Sequence, residues 1–330
     1  MFKSFQLPQI NFDSHDTVTG DFGDLPNWDL NDLYPSPDGE EITKDLKALE
    51  SNCNSFASEY QGQLDGLTAE GLLNCIERYE DIQNVAGRVM SFAGLSYYQN
   101  TSDANRSKFM ADMQSKITDF TTPLVFFSLE INNIDDEHIQ NLLNSNHKLS
   151  RYKPIIDNLR KMKPHQLSDE LEQFLHDQSV VGTAAWNRLF DETMASLKFN
   201  VDDELLSLEA TLNLLSDKNR ETREKGTRAL IKVFGENISL FSRITNTLSK
   251  EKEVEDRWRK MPTPQFSRHL ANQVEPEVVE ALRNAVVTAY PKLSHRYYAL
   301  KAKWMNLDSL EVWDRNAPLD SDNSSDIQWE

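Results

Sequence analysis

Apolar residues that recur at alternating steps of four and three are the feature that most constrains the fold of this chain. The first such series, which follows Glu41, contains Ile42, Leu46, Leu49, Cys53, Phe56 and Tyr60. Because an α-helix completes a turn every 3.6 residues, this spacing puts the side chains on one helix face. Only 11 of the 330 residues are Gly, which also favours helices. The chain is therefore predicted to be mainly α.

Similar series predict further helices, several of them preceded by a Ser, Thr or Asp that is typical of an N-cap. The N-cap candidates are Thr68, Asp135, Ser150 and Ser168. The other expected helix limits are 68–98, 103–120 with an end near Pro123, 168–194, 216–244, and 276–305 after the Pro-containing break 261–266. The arm over residues 1–40 is expected to be irregular and to pack through Leu25, Trp28, Leu30, Leu33 and Tyr34.

The apolar spacing changes from a helical period to a period of two between Leu197 and Leu208. The segments LKFNV and ELLSL alternate apolar and polar residues, and Asp202 and Asp203 stand between them. Two such segments joined by two turn-forming residues predict a short β-hairpin, although Asp-Asp is a weaker turn signal than Asp-Gly. A further short strand is expected in the segment SLEVW, residues 309–313.

The charge and cysteine content exclude several classes of protein. The formal net charge is -18, and such a surface repels phosphate backbones and anionic lipids, so neither nucleic acid nor a membrane is an expected partner. No apolar run approaches membrane-spanning length, and the N-terminus lacks a signal-peptide pattern. The two cysteines, Cys53 and Cys75, are too few for a disulfide framework. A cytoplasmic protein is expected, and its oligomeric state stays unknown.

Metal-binding motifs are absent from the sequence. None of the seven His is followed by Glu, and no two His are four residues apart, so the helical zinc motif H-E-x-x-H does not occur. The run Asp135–His138 consists of consecutive residues, which point in different directions on a helix and suit a helix start better than a metal site. The tail residues Asp320, Asp322, Ser324 and Asp326 have calcium-loop spacing, but Ser325 stands where the turn requires Gly.

Other catalytic patterns are equally weak. No glycine-rich phosphate loop and no G-x-S-x-G elbow occur, and both Cys lie in helical patterns without a nearby activating base. Two aromatic pairs could line a cleft, but packing in the core with one polar edge is the preferred interpretation. These are Tyr97-Tyr98, and Tyr297-Tyr298 preceded by His295 and Arg296.

Four segments carry a resemblance through their joint order and spacing. They are 25–46 (LPNWDLNDLYPSPDGEEITKDL), 91–110 (SFAGLSYYQNTSDANRSKFM), 186–230 (beginning WNRLFDETMASLKF) and 269–319 (beginning HLANQVEPEVVEAL and ending WDRNAPL). Together they resemble the N-terminal part of the oligoendopeptidase F family of zinc metallopeptidases, which is related to thimet oligopeptidase. None of the four is a catalytic signature.

The resemblance implies a mainly α fold, a multi-helical lobe with a short β-hairpin or strand element, as the N-terminal part of a two-lobed zincin-like oligopeptidase. Residues 1–195 would form the N-terminal helical lobe, and residues 196–330 would begin the catalytic domain. The full-length family enzymes use zinc and cleave short peptides. Their H-E-x-x-H helix is expected beyond the position of WDRNAPL, so no catalytic or metal-binding residue is carried over, and the substrate-binding residues stay unknown.

Two functions follow as alternatives. The first is the N-terminal part of a zinc-dependent oligoendopeptidase, which supplies scaffold and cleft wall, binds no zinc and is inactive alone. The second is a non-enzymatic helical protein that uses the same scaffold to bind peptides or a partner.

Overall fold

Helices form nearly all of the regular structure in the computed structural model, which describes residues 28–319. The predicted mainly α fold with a short hairpin is confirmed. In chain order the elements are α1 (Glu40–Tyr60), α2 (Ala69–Gln99), α3 (Ala104–Thr121), α4 (Phe126–Asn133), α5 (Asp136–Ser145), α6 (His147–Ser150), α7 (Lys153–Arg160), α8 (Asp169–Gln178), α9 (Thr183–Ser196), β1 (Phe199–Val201), β2 (Glu204–Leu206), α10 (Leu208–Asn213), α11 (Arg220–Glu236), α12 (Ile238–Trp258), α13 (Phe266–Ala271), α14 (Pro276–Ala289) and α15 (Ser294–Trp304).

The chain divides into two compact units. Within the described residues, the larger unit comprises 28–191 and 240–288, and the smaller unit comprises 192–239 and 289–319. The expected lobes, 1–195 and 196–330, divide the chain differently, because residues 240–288 group with the larger unit. As a functional division, these lobes stay a prediction.

The core of the larger unit lies between α1, α2 and the helices α4–α7. The stripe predicted for α1 is buried there through Leu49, Cys53 and Phe56, and α2 contributes Leu72 and Ile76. Side chains that are removed from water in this way each stabilise the fold by about 1.5–3 kcal/mol. The periodicity of the sequence therefore identified the main core correctly.

The arm preceding α1 packs on the same unit through a second apolar cluster. Tyr34 is buried against Ile42, Val89 and Phe92, and Leu30 and Leu33 pack partly against the cluster. The Tyr34 hydroxyl also donates to Asp45 over 2.7 Å. The predicted packing of the arm is therefore confirmed for Leu30, Leu33 and Tyr34. Trp28 is exposed, and Leu25 lies outside the described residues.

The predicted caps are confirmed at two positions and wrong at a third. The Thr68 side chain accepts from the Gly71 amide, and Asp135 accepts from the Glu137 and His138 amides. Ser150 is not an N-cap but the last residue of α6, and its hydroxyl donates to the carbonyl of His147. Ser168 stands at the N-cap position of α8 without a capping hydrogen bond from its side chain.

The helix predicted from Ser168 toward Met194 is wrong, because α8 and α9 are separate. Gly182 lies at the break, and a Cβ atom there would come within 2.6 Å of the Glu251 carboxylate. That carboxylate accepts from the Thr183 amide over 3.1 Å and so caps the start of α9. The break therefore coincides with a long-range contact that the local sequence pattern does not contain.

Three other predicted secondary-structure elements are also wrong. The series from Ser216 to Ile244 is divided at Asn237 into α11 and α12. The series from 276 to 305 is divided into α14 and α15 around Pro291, which has no amide proton and disfavours helical conformation in the residue before it. The expected strand over 309–313 overlaps a 3-10 helix, Val312–Asp314, which has a capping box between Glu311 and Asp314.

The predicted hairpin is present in the smaller unit. β1 and β2 are antiparallel, with Phe199 opposite Leu206 and Val201 opposite Glu204. Asp202 and Asp203 have φ values of 53° and 69°, as a two-residue turn with both central residues in the left-handed region requires. Phe199 is fully buried and packs against α11, which positions the hairpin on that helix.

Candidate functional site

A large pocket lies in the larger unit. Its volume is about 1150 Å³, slightly above the ~300–1,000 Å³ typical of ligand sites. α8, α9, the segment between them and α12 supply most of its wall, and α2, α3 and residues 124–128 supply most of the rest. The aromatic and aliphatic side chains in the wall include Leu171, Phe174, Val181, Trp186, Val254 and Trp258.

Much of this apolar wall is open to solvent. Phe174 is 58% exposed, Val181 73% and Trp258 55%. Large apolar side chains left this accessible around a concavity are typical of a binding surface rather than of core packing. The pocket can therefore receive an apolar group.

A partly buried ion pair holds one side of the pocket together. The Arg259 guanidinium donates to both carboxylate oxygens of Glu172, over 2.6 and 2.9 Å, and to Glu255 over 2.6 Å. Burial alone would raise the pKa of Glu172, but the hydrogen bonds from Arg259 and the Leu167 amide outweigh it and lower that pKa. A bidentate pair of this geometry fixes α8 against the end of α12.

Several other polar groups of the wall also have partners. Glu251 caps α9, as described above, and Lys250 pairs with Glu253 over 2.5 Å. His176 Nε2 lies 3.2 Å from the Thr121 hydroxyl. Because these charges are already paired, the pocket is suited to recognise a ligand by apolar contact more than by its charge.

A second polar cluster is buried in the smaller unit. Asp314 is fully buried and accepts from Arg220 over 2.9 Å and from Arg223 over 3.0 Å. Burial would raise the pKa of Asp314, but hydrogen bonds from Arg220, from the Glu311 amide and from Arg223 lower it to about 2. The carboxylate is therefore ionised at neutral pH and neutralises the buried arginine.

Arg223 connects two distant segments of the chain. Its guanidinium also donates to the carbonyls of Trp313, Asp217 and Lys218, over 2.9, 2.9 and 3.1 Å. Every contact of this cluster lies within the smaller unit and is directed at the protein itself. We therefore assign it a structural role in holding residues 311–315 on α11.

The acidic run Asp135–His138 has separate partners and does not converge. Asp135 caps α5, Asp136 binds Arg160 and Lys163, and His138 Nε2 lies 3.1 Å from the carbonyl of Asp65. These contacts agree with its interpretation as a helix start. The calcium-like tail from Asp320 lies outside the described residues.

Both cysteines are buried in the core of the larger unit. Burial raises the pKa of Cys53 to about 11 and that of Cys75 to about 12. Because the thiolate is the reactive form, neither thiol is suited to act as a nucleophile at neutral pH. The interpretation of Cys53 as a small core residue is confirmed.

The aromatic pairs were only partly interpreted correctly. Tyr97 is buried at 4% exposure, but Tyr98 is 60% exposed, Tyr297 45% and Tyr298 37%. Packing in the core is therefore confirmed for Tyr97 and wrong for the other three. Consecutive residues on a helix point about 100° apart, so both members of a pair cannot face one core.

No three His, Cys, Asp or Glu side chains in residues 28–319 form a group that could hold a metal ion. The described residues therefore do not fit the zinc that the resemblance implies for the full-length enzymes. Over the same residues, no helix is long and apolar enough to cross a membrane.

Neither the pocket nor the Asp314 cluster follows from local patterns in the sequence. The deciding contacts, Glu172 with Arg259 and Arg223 with Asp314, join residues 87 and 91 positions apart. One signal was available: Arg223 precedes Thr227 and Leu230 by four and seven residues on a helical stripe, which predicts a buried arginine that needs an acidic partner.

Comparison with known proteins gives consistent matches to one family. Residues 130–199 match the family model described as Oligopeptidase F. The chain is 24% identical over 309 residues to Oligopeptidase PepF of Bacillus subtilis, covering 92% of this chain and 45% of that protein. It is 23% identical to Group B oligopeptidase PepB of Streptococcus agalactiae, covering 88% of this chain and 49% of that protein. The chain thus spans about half the length of these relatives.

The fold agrees with solved structures of the same kind. Oligoendopeptidase-F from Enterococcus faecium matches with a TM-score of 0.74 at 22% identity, over 84% of this chain and 56% of that one. A putative oligoendopeptidase F from Bacillus anthracis matches with a TM-score of 0.61 at 16% identity, over 84% of this chain and 47% of that one. The resemblance to the N-terminal part of the oligoendopeptidase F family is confirmed.

Proposed function

We propose that this chain is the scaffold part of a zinc-dependent oligoendopeptidase that hydrolyses short peptides, and that it does not cleave peptides by itself. The observation that supports this most is the match to Oligopeptidase PepF across 92% of the chain. The fold agrees with it, as the Enterococcus faecium structure shows at a TM-score of 0.74. A cytoplasmic location is part of the same proposal.

The chain spans only about half the length of its relatives. Zinc dependence and peptide cleavage are therefore proposed for the longer protein of which this chain would be a part. No group in residues 28–319 fits a metal ion, so we derive no reaction step from this chain. Its contribution is to bind: the apolar pocket between α8, α9 and α12 receives an apolar side chain of a peptide.

Purified 330-residue protein tests the absence of activity. We expect less than stoichiometric zinc by metal analysis after dialysis, and no cleavage of an internally quenched fluorescent peptide. Stoichiometric zinc together with cleavage that a chelator abolishes would contradict the proposal. A mixed sample containing a known zinc peptidase provides the positive control for both measurements.

The pocket is tested separately by fluorescence, because Trp186 and Trp258 lie in its wall. We expect short peptides with Leu or Phe side chains to change the tryptophan emission, and Ser-containing peptides of the same length to have little effect. Val181→Asp places a charge in the wall and should weaken this response by about tenfold. The matched control is Ile155→Asp, which alters a similarly exposed residue outside the wall.

The alternative is a non-enzymatic helical protein that binds peptides or a partner. The paired charges of the pocket, with Glu172 and Arg259 bound to each other, favour a site that binds without performing chemistry. Under this alternative, the chain binds peptides by itself and needs no catalytic part. Affinity at low micromolar or better for the isolated chain, unchanged by zinc and by an added catalytic part, would favour the alternative over the peptidase.

A further inference from the structure

α14 carries an apolar stripe that nothing in the described structure covers. Val278, Leu282 and Val286 follow one another at four-residue steps, so they lie on one helix face. They are 55%, 65% and 43% exposed. Within the part of the chain that the structure describes, α14 buries none of its 14 residues.

An isolated helix of this length with an exposed apolar face is not expected to be stable. A 14-residue helix is marginal in water on its own, and most of its stability in proteins comes from packing of an apolar face. The side of α14 away from the stripe carries Glu277, Glu280 and Asn284 beside a single large apolar residue, Val287, so it is the more polar side and suits solvent, whereas the stripe suits a partner. A contiguous apolar stripe of this kind marks an interaction surface.

Two observations indicate what covers the stripe. The chain spans 45% of PepF and 49% of PepB, so about half of those proteins has no counterpart here. A second copy of this chain is a poorer occupant, because two bodies with a formal charge of -18 each repel one another. The length of the relatives therefore favours a polypeptide outside this chain.

We propose that the stripe Val278–Leu282–Val286 is the docking surface for the remainder of the longer protein. The occupant is the polypeptide that corresponds to the part of the oligoendopeptidase F relatives that this chain does not span. It docks through an apolar face of its own, since the stripe offers no charge to it. This inference rests on the proposed function, because it takes the chain to be part of such a peptidase.

A fusion protein provides the first test. This chain replaces the matched part of Bacillus subtilis Oligopeptidase PepF, and amide hydrogen exchange is compared between the fusion and the isolated chain. We expect exchange in residues 276–289 to be at least about tenfold slower in the fusion. Residues 69–99 of α2, which are packed in the larger unit, serve as the internal reference and should exchange slowly in both proteins.

Two neighbouring valines give a matched pair of variants. Val286 lies about 40° around the helix from Leu282, whereas Val287 lies about 140° away, at 100° per residue. Their exposures are similar, 43% and 48%. Val286→Asp should therefore remove most of the protection of α14 in the fusion, and Val287→Asp should leave it nearly unchanged.

Association in trans is the second measurement and applies if the fusion does not fold. The isolated chain is mixed at tens of micromolar with the unmatched part of PepF, and the mass is followed by light scattering. Binding that is weakened about tenfold or more by Val286→Asp but not by Val287→Asp supports the proposal. Absence of both protection in the fusion and association in trans overturns it.

Two further outcomes are decisive. If the isolated chain dimerises and Val286→Asp abolishes the dimer, the stripe binds a second copy and the proposal is wrong. Peptide cleavage by the fusion is measured separately. If α14 is protected but the fusion does not cleave peptides, the docking surface is supported and the proposed peptidase function is contradicted. If the fusion cleaves peptides but α14 is not protected, the peptidase function is supported and the docking surface is contradicted.

Discussion

α2 and α14 have the same kind of sequence pattern and opposite environments. Leu72 of α2 is 0% exposed within the main core, whereas Leu282 of α14 is 65% exposed. Both helices were expected from apolar residues at steps of three and four, and both are helical. The pattern therefore predicts a helix with an apolar face, but whether that face is covered depends on a partner elsewhere in the chain or outside it.

The largest effect is expected for Leu72→Ala in the covered helix. The side chain is fully buried among the residues of the main core. Its truncation leaves a cavity, and we expect the free energy of unfolding to fall by about 3–4 kcal/mol. Urea denaturation followed by circular dichroism measures this loss. A loss under 1 kcal/mol would show that α2 is not packed as described.

α11 lies between these extremes, because its covered face contains a charged residue. Asp314→Asn removes the charge that neutralises Arg223, which is 1% exposed. We expect a loss of about 2–3 kcal/mol, the cost typical of a weakened charged hydrogen bond at a buried site. The same denaturation series measures it. The control is Asp308→Asn, at an acidic residue that forms no ion pair with the described residues, and it should change stability little.

Low pH should weaken the charged contacts of α11 but not the apolar packing of α2. The pKa of Asp314 is lowered from 3.8 to about 2, so the carboxylate binds fewer protons when folded than when unfolded. Its contribution is complete above about pH 4 and is lost as the pH falls toward about 2. The stability difference between wild type and Asp314→Asn should shrink over that range, while the difference between wild type and Leu72→Ala should not. Parallel urea titrations at pH 5, 4 and 3 compare the two.

What the sequence could predict follows from the same comparison. Local signals located α1, α2, α3 and the hairpin, because spacing, caps and turn residues act within a few positions. The cap that Glu251 provides at the break near Gly182 joins residues 68 positions apart, and the Arg223–Asp314 pair joins residues 91 positions apart, so neither contact is contained in the local pattern. Pro291 is an exception: the signal that ends α14 was present in the sequence, and the prediction of a single long helix did not use it.

A smaller effect is expected at the break between α8 and α9. A Cβ atom on Gly182 would lie 2.6 Å from the Glu251 carboxylate, which caps α9. Gly182→Ala should displace that carboxylate and cost about 1 kcal/mol, the value of a lost helix cap. Gly87→Ala is the matched control, because nothing lies within 4 Å of its Cβ position in α2. It should be neutral or stabilising by up to about 1 kcal/mol, and equal effects would contradict the proposed capping.

The smallest effect is expected for Leu282→Ala, the counterpart of Leu72→Ala in the uncovered helix. In the isolated chain the side chain is 65% exposed, so its truncation should change the free energy of unfolding by less than about 0.5 kcal/mol. Alanine also favours the helix slightly more than leucine does, which offsets part of the lost apolar contact. A loss of about 2 kcal/mol or more would mean that the isolated chain already covers α14, and the contrast with α2 would disappear. In the fusion, where we expect the stripe to be docked, the same substitution should cost more than in the isolated chain.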